Sequence, residues 1–209
     1  MTAFGADNAE AARTNVKLGL GYLAKGYYQQ SKERLLSAIR DDSHIAAGWY
    51  GMAYYLEKTG DIKAADQYYQ KALSVEPHSG SAKNNYGTYL CRVGRYQDAL
   101  HYFEAAVKES TYLDAASAYQ NAGTCALMMH DVKLATTYFH SALSNNPSMS
   151  FSLLSLARLS YQSGDNAGAD RYFDDFRKIE LHNKSPEVVA QYEKYVFGGH
   201  SEVLNLQRQ

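Results

Sequence analysis

A fixed spacing of turn residues is the feature that most constrains the fold of this 209-residue chain. The intervals between successive turns are 34, 34, 36 and 34 residues, and the turn residues themselves are Gly26, Gly60, Gly94, His130 and Gly164. A repeat of this length is typical of supersecondary units that stack on one another. We therefore expect successive copies of one unit.

Small residues recur at matched offsets around each turn. Seven residues before it stand Gly19, Ala53, Gly87, Gly123 and Ala157, and five residues after it stand Ser31, Ala65, Ala99, Ala135 and Ala169. Four residues further on comes a large apolar side chain, at Leu35, Tyr69, Phe103, Phe139 and Phe173. The next small position, three residues later, holds Ala38, Ala72, Ala106 and Ala142, but Phe176 breaks the pattern. These spacings follow one face of a helix on each side of the turn, so each unit is predicted to be a helical hairpin in which a large side chain fills the space over a small one.

Five such hairpins account for most of the chain. The predicted units are residues 12–45, 46–79, 80–113, 116–149 and 150–183, with a two-residue insertion between the third and the fourth. Ser185 and Pro186 are typical of a helix start, so residues 184–198 are predicted to form a C-terminal capping helix. Residues 1–11 and 199–209 are predicted as an N-terminal segment and a tail. The expected fold class is all-α, an α-solenoid of five helical hairpins plus the capping helix.

Charge and motifs argue against several function classes. The chain has 21 Lys and Arg against 22 Asp and Glu and no run of like charges, so neither nucleic acid nor an anionic lipid surface is an expected partner. The seven histidines show no metal-binding spacing, and no nucleophile elbow or phosphate loop occurs. We expect no catalysis, cofactor, metal or small-molecule substrate, and favour a protein that binds other proteins.

The period and the small, small, large, small pattern resemble the tetratricopeptide repeat over about 170 residues. A narrower resemblance lies in LGLGYLAKGYYQQSKERLLSAI, NNYGTYLCRVGRYQDALHYFEAA, NAGTCALMMHD and YFHSALSNNP. These strings are similar to the PilF/PilW family of type IV pilus biogenesis and stability lipoproteins, the pilotins. The resemblance implies a right-handed superhelix on the periplasmic side of the outer membrane that helps the pilus secretin to localise and assemble into its ring.

The start of the chain departs from that family. MTAFGADNAE has neither the basic and apolar parts of a signal sequence nor the acylated cysteine expected at the mature start of a lipoprotein. No apolar stretch reaches the roughly 18 residues of a membrane helix. We expect a soluble, trimmed form, with a lipid anchor in the full-length precursor.

Candidate partner-binding residues are those on the first helix of each hairpin that lie outside the packing pattern. In the first unit, beside a predicted core stripe of Leu18, Gly19 and Tyr22, they form an apolar stripe of Val16, Leu20, Leu23 and Ala24. We predict a hydrophobic slot for a peptide segment of a secretin subunit. The alternative is that residues 1–11 fold over this stripe.

In later units the equivalent face is polar and aromatic. Its candidate residues are Tyr50, Tyr54, Asn84, Asn85, Thr88, Gln120, Asn121 and Thr124. Asn85 and Asn121 occupy the same place in successive units, so their amides are predicted to hold an extended peptide by its main chain. The alternative is that they satisfy local groups.

Cys91 and Cys125 lie on the predicted first helices of adjoining units. Either they form a disulfide, which the family resemblance supports for the oxidising periplasm, or they are buried thiols that act as small apolar fillers.

The alternative to this function is that the chain is a cytosolic repeat adaptor, which binds a peptide of a chaperone or another complex. Such an adaptor would grip an acidic C-terminus with Lys and Arg on successive first helices. The matching positions in this chain hold Val16, Tyr50, Asn84 and Gln120.

Overall fold

The computed structural model describes residues 3–181 and 184–198, and every regular element in these ranges is helical. The first compact unit runs to Leu113 and contains α1 (Ala3–Ala24), α2 (Tyr28–Asp41), α3 (Ala46–Lys58), α4 (Ile62–Val75), α5 (Gly80–Arg92) and α6 (Tyr96–Val107). The second begins at Asp114 and contains α7 (Ala115–Met128), α8 (Val132–Asn145), α9 (Ser150–Gln162), α10 (Asn166–Phe176), a π-helical turn (Arg177–Leu181) and α11 (Pro186–Phe197). The predicted all-α fold is confirmed.

The N-terminus differs from the prediction. Residues 3–11 are continuous with the first helix, since α1 begins at Ala3. They extend that helix and do not fold back over its surface. The physical reason is the alanine-rich stretch NAEAAR, which has high helix propensity and contains no breaker. The predicted tail, residues 199–209, lies outside the described residues.

The turn residues identified by the repeat spacing all adopt a left-handed backbone conformation. Gly26, Gly60, Gly94 and Gly164 have φ between 77° and 91°, and His130 has φ of 62°. In all five turns the backbone N–H of the next residue donates to the carbonyl five residues before it, at 2.8–2.9 Å. This hydrogen bond closes a helix end when the residue inside the turn is left-handed. The two-residue insertion that lengthens the interval before His130 therefore leaves the geometry of that turn unchanged.

Aspartates begin three of the second helices. The carboxylates of Asp61, Asp131 and Asp165 accept hydrogen bonds from backbone N–H groups three residues later, at 3.1, 2.9 and 2.9 Å. Each bond satisfies an N–H group that has no partner within its own helix.

The two helices of a hairpin approach closely where a glycine faces a large side chain. A β-carbon added to Gly87 would lie 2.8 Å from Cε1 of Phe103 and 3.1 Å from the carbonyl oxygen of Ala99. The same addition at Gly123 would lie 2.8 Å from the ring of Phe139. The facing large residues Leu35, Tyr69, Phe103, Phe139 and Phe173 are all buried. The predicted pairing of small with large side chains is confirmed.

The last hairpin departs from the repeat because another helix packs on it. Phe176, at the position where the other units have alanine, is buried and its ring centroid lies 5.0 Å from that of Tyr192 on α11. The Arg158 guanidinium of α9 donates a 2.7 Å hydrogen bond to the carbonyl of Tyr195, also on α11. The large side chain thus fills the space between α10 and the C-terminal helix.

We predict opposite effects for alanine at two glycines of α1. Gly19→Ala would place its β-carbon 2.7 Å from Cγ of the buried Leu35, so the free energy of unfolding should fall by about 1–3 kcal/mol. Nothing lies within 4 Å of a β-carbon at Gly21, so Gly21→Ala should raise it by up to about 1 kcal/mol through helix propensity. Urea unfolding followed by circular dichroism measures both. Equal effects would contradict close packing at Gly19.

Candidate functional site

A cavity of about 320 Å³ lies among the first helices of the three hairpins in the first unit. Its lining, here called the groove, consists of Leu20, Tyr50, Gly51, Tyr54, Tyr69, Asn85, Thr88 and Arg92. Five of these eight residues belong to the predicted partner-binding set: Leu20, Tyr50, Tyr54, Asn85 and Thr88. The repeat thus brings side chains from α1, α3 and α5, far apart in sequence, to one concave site.

The walls of the groove combine apolar surface with open hydrogen-bonding groups. Leu20, Tyr50 and Tyr54 are half-buried, so each presents part of its side chain to the cavity. Burial, with a smaller contribution from nearby Glu76, raises the pKa of Tyr50, whose hydroxyl therefore stays neutral at physiological pH. The side-chain amide of Asn85 has no hydrogen-bond partner among the described residues. It can therefore both donate to and accept from a bound main chain.

One end of the groove is held by an ion pair. The Arg92 guanidinium makes two parallel contacts with the Glu57 carboxylate, at 2.5 and 2.7 Å. The Tyr69 hydroxyl donates to the same carboxylate at 3.3 Å, and Arg92 lies 5.7 Å from the ring centre of Tyr54. Bidentate pairing fixes both side chains, so this end of the groove is rigid and its positive charge is already neutralised.

Burial and charge shift the pKa values of this network. Burial, followed by the nearby Glu57 carboxylate, raises the pKa of Tyr69. For Arg92, burial acts to lower the pKa, but the hydrogen bond and charge of Glu57 outweigh it, so the pKa lies above its ordinary value. The guanidinium is therefore charged and the phenol neutral throughout the physiological range.

Glu57, Tyr69 and Arg92 are not among the predicted partner-binding residues, and the repeat pattern assigned Tyr69 only to the packing of its hairpin. Arg92 follows Asn85 and Thr88 by seven and four residues, which places all three on one face of α5. That spacing was available as a signal. Its partner Glu57 is 35 residues away and belongs to another hairpin, so the pair itself becomes visible only in the fold.

The predicted apolar stripe on α1 is partly wrong. Val16 and Leu23 are each only 7% exposed and belong to the core, whereas Leu18, assigned to the core stripe, is 44% exposed. The reason is that α1 packs against α3 as well as α2, and a β-carbon on Gly51 would lie 3.6 Å from Val16. Ala24 is exposed but does not line the groove. Of this stripe, Leu20 alone contributes to the cavity lining.

The remaining predicted residues lie elsewhere. Gln120 and Asn121 are on α7 in the second unit, and the Gln120 side-chain oxygen accepts a 3.1 Å hydrogen bond from Ser152. Asn84 and Asn121 each interact with other residues, unlike Asn85. The amide ladder between Asn85 and Asn121 stays a prediction.

Residues 3–181 and 184–198 contain neither a candidate metal site nor a helix that could span a membrane. In these ranges no three His, Cys, Asp or Glu side chains come together in a way that suits a metal ion. No helix there combines the length and apolar character needed to cross a bilayer.

Comparisons with known proteins agree with the repeat pattern. Family profiles described as tetratricopeptide repeat match residues 46–79 and 84–150. The type IV pilus assembly protein PilF of Pseudomonas aeruginosa is 30% identical over 167 residues, which cover 80% of this chain and 66% of PilF. The chain thus spans slightly less than two thirds of that relative.

Two solved structures have a similar fold. The structure from the functional characterisation of Pseudomonas aeruginosa PilF matches with a TM-score of 0.75 and 26% identity, over 93% of this chain and 95% of that one. The crystal structure of PilW, described as a widely conserved type IV pilus biogenesis factor, matches with a TM-score of 0.69 and 24% identity, over 94% and 96%. This chain is a tetratricopeptide repeat protein related to the PilF/PilW type IV pilus biogenesis factors.

Both cysteines of this tetratricopeptide repeat protein, Cys91 on α5 and Cys125 on α7, are disulfide-bonded, and no free thiol occurs in the described residues. A bridge between these two residues, which would close a long loop of the chain, stays a prediction. Closing a loop of this length stabilises a protein by about 3–4 kcal/mol in the chain-entropy treatment.

Thiol titration tests this bridge. The denatured, unreduced protein should show no reactive thiol, should run as a monomer on non-reducing electrophoresis, and should show both thiols after reduction. Cys91→Ser should lower the free energy of unfolding by about 3–4 kcal/mol, because the loop is then open in the unfolded chain. Two reactive thiols before reduction, or a disulfide-linked dimer, would refute it.

Proposed function

We propose that this chain is a non-catalytic scaffold that binds a peptide segment of a pilus secretin subunit in its groove and promotes localisation and multimerisation of the secretin. The observation that carries the proposal is the convergence of Leu20, Tyr50, Tyr54, Asn85 and Thr88 on one cavity in a protein related to pilus biogenesis factors. We place its site of action on the periplasmic side of the outer membrane.

The groove is suited to a short segment with a large apolar side chain. Such a side chain would be removed from water between Leu20 and the rings of Tyr50 and Tyr54, which gives the affinity. The open amide of Asn85 would pair with the main chain of the segment and fix its direction. The wall beside Arg92 needs no rearrangement on binding, since Glu57 and Tyr69 already hold it, and a preformed wall lowers the entropic cost of association.

The groove disfavours the second candidate, a cytosolic adaptor for an acidic C-terminus. Arg92 is the one cation in its lining, and that guanidinium is already paired with Glu57. An incoming carboxylate would have to displace a bidentate partner.

A charge placed in the groove should abolish secretin binding. Leu20→Glu sets a carboxylate among the tyrosines, and we expect at least a tenfold loss of affinity because the apolar contact is removed and the charge must be desolvated. The matched control is Leu18→Glu, the same change on an exposed residue of the same helix outside the groove. Both variants should keep the helical circular dichroism of the unchanged protein.

The measurement is copurification of secretin from a detergent extract, followed by a blot for secretin multimers in a deletion strain complemented with each variant. Leu18→Glu should restore multimers and Leu20→Glu should not. Equal binding by both variants would reject the groove as the site. Normal multimers in the uncomplemented deletion strain would reject the role in secretin assembly.

A further inference from the structure

The three turns within the hairpins of the first unit expose large apolar side chains. Tyr27, Tyr28, Ile62 and Val93 have between 38% and 53% of their surface exposed. In the described part of this unit, only Leu18 and Leu113 are other large apolar residues with comparable or greater exposure. The exposed apolar surface is therefore concentrated at one end of the paired helices.

The three turns form one continuous edge. The Tyr89 hydroxyl on α5 donates a 3.0 Å hydrogen bond to the carbonyl of Ile62, just after the second turn. Arg95, in the third turn, lies 3.7 Å from the carboxylate of Asp66 on α4. The helices α1 and α3 are in contact, and their last residues adjoin the first and the second turn, so these two turns lie at the same end of the unit. We call residues 25–29, 58–63 and 92–98 the turn edge.

The turn edge is positively charged, and the opposite end of the same helices is negatively charged. The turn edge contains five Lys and Arg against two Asp, whereas the loops between hairpins, residues 41–45, 76–80 and 108–113, contain four Asp and Glu against one Lys. Helices of 13–14 residues separate the two ends by about 20 Å. The net charge of the whole chain is near zero because positive and negative residues cancel, so it does not reveal this separation.

Part of the positive charge on the turn edge is unpaired. Arg92 is paired with Glu57, and Arg95 with Asp98 at 2.7 Å. In contrast, among the described residues no carboxylate lies within ion-pairing distance of the three lysines Lys25, Lys58 and Lys63. The Lys58 ammonium lies 5.2 Å from the centre of the Tyr54 ring. The ammonium groups of Lys25 and Lys63 are therefore the charges available to an external anionic surface.

We propose that the turn edge binds the surface of an anionic phospholipid bilayer. Tyrosine and aliphatic side chains flanked by lysine suit the bilayer interface, where rings enter the headgroup region and ammonium groups meet lipid phosphates. A protein partner is less suited to this edge because lysine is depleted in protein interfaces. The acidic loops at the far end face away from the bilayer in this arrangement, which orients the first unit on the membrane.

Vesicle sedimentation tests the proposal on the whole chain. The protein should sediment with vesicles of equal parts phosphatidylcholine and phosphatidylglycerol, and added salt should weaken this binding. Vesicles of phosphatidylcholine alone should bind it at least tenfold more weakly, since two or more lysine contacts with anionic lipid are lost. Equal binding to both vesicle types, or binding to neither, would overturn the proposal.

Substitutions distinguish specific vesicle binding by the turn edge from nonspecific vesicle binding by other exposed residues. Tyr28→Ser combined with Ile62→Ser should reduce vesicle affinity at least tenfold, because two exposed apolar side chains no longer enter the interface. Lys25→Gln or Lys63→Gln should each reduce vesicle affinity roughly fivefold. The matched controls are Leu113→Ser and Lys108→Gln, which remove an exposed apolar side chain and a lysine outside the turn edge and should change nothing. Unchanged circular dichroism shows that each variant is folded.

The outcomes distinguish this proposal from the secretin proposal. Leu20→Glu should bind vesicles normally, because Leu20 lies in the groove. The same loss in the controls as in the turn-edge variants would overturn the bilayer proposal. A turn-edge double variant that keeps vesicle binding but loses a protein partner would also overturn it, and would assign this edge to a protein interface.

Discussion

The close approach of paired helices is the constraint on which the rest of the structure depends. A β-carbon at Gly19, Gly87 or Gly123 would come within 3 Å of a buried large side chain. Interiors pack at the density of organic crystals, so such an overlap moves a helix and is not absorbed by free space. The distance between the helices of a hairpin therefore depends on the pairing of small with large residues.

The groove is a consequence of that packing. In the first unit the first helices of successive hairpins line up, so residues three, four or seven positions apart on one helix, such as Asn85, Thr88 and Arg92, face one cavity. Tyr69 shows the connection directly, because its ring belongs to the buried core of its hairpin while its hydroxyl hydrogen-bonds to Glu57 at the end of the groove. Tyr69 therefore belongs both to the packed core and to the lining of the groove. The wall of the groove is held in place by the core behind it.

Local signals in the sequence were enough for the hairpins but for only part of the site. The turn glycines and His130, the capping aspartates and the small-to-large pairing each depend on residues close in sequence, and all were predictable. Val16 and Leu23 were misassigned because a single-helix pattern does not reveal that α1 also packs against α3. The Glu57–Arg92 pair joins two hairpins, and the burial of Phe176 depends on α11. Contacts between repeats, which no periodicity within one repeat specifies, account for each of these differences.

The most direct measurement of the packing constraint is a double-mutant cycle between Gly87 and Phe103. Gly87→Ala should lower the free energy of unfolding by about 1–3 kcal/mol when the phenylalanine ring is present. In a Phe103→Val background, which lacks the ring atoms that the new methyl would meet, the same substitution should cost at least about 1 kcal/mol less. Equal costs in the two backgrounds would show that the ring does not set the distance between the helices, and would contradict the account.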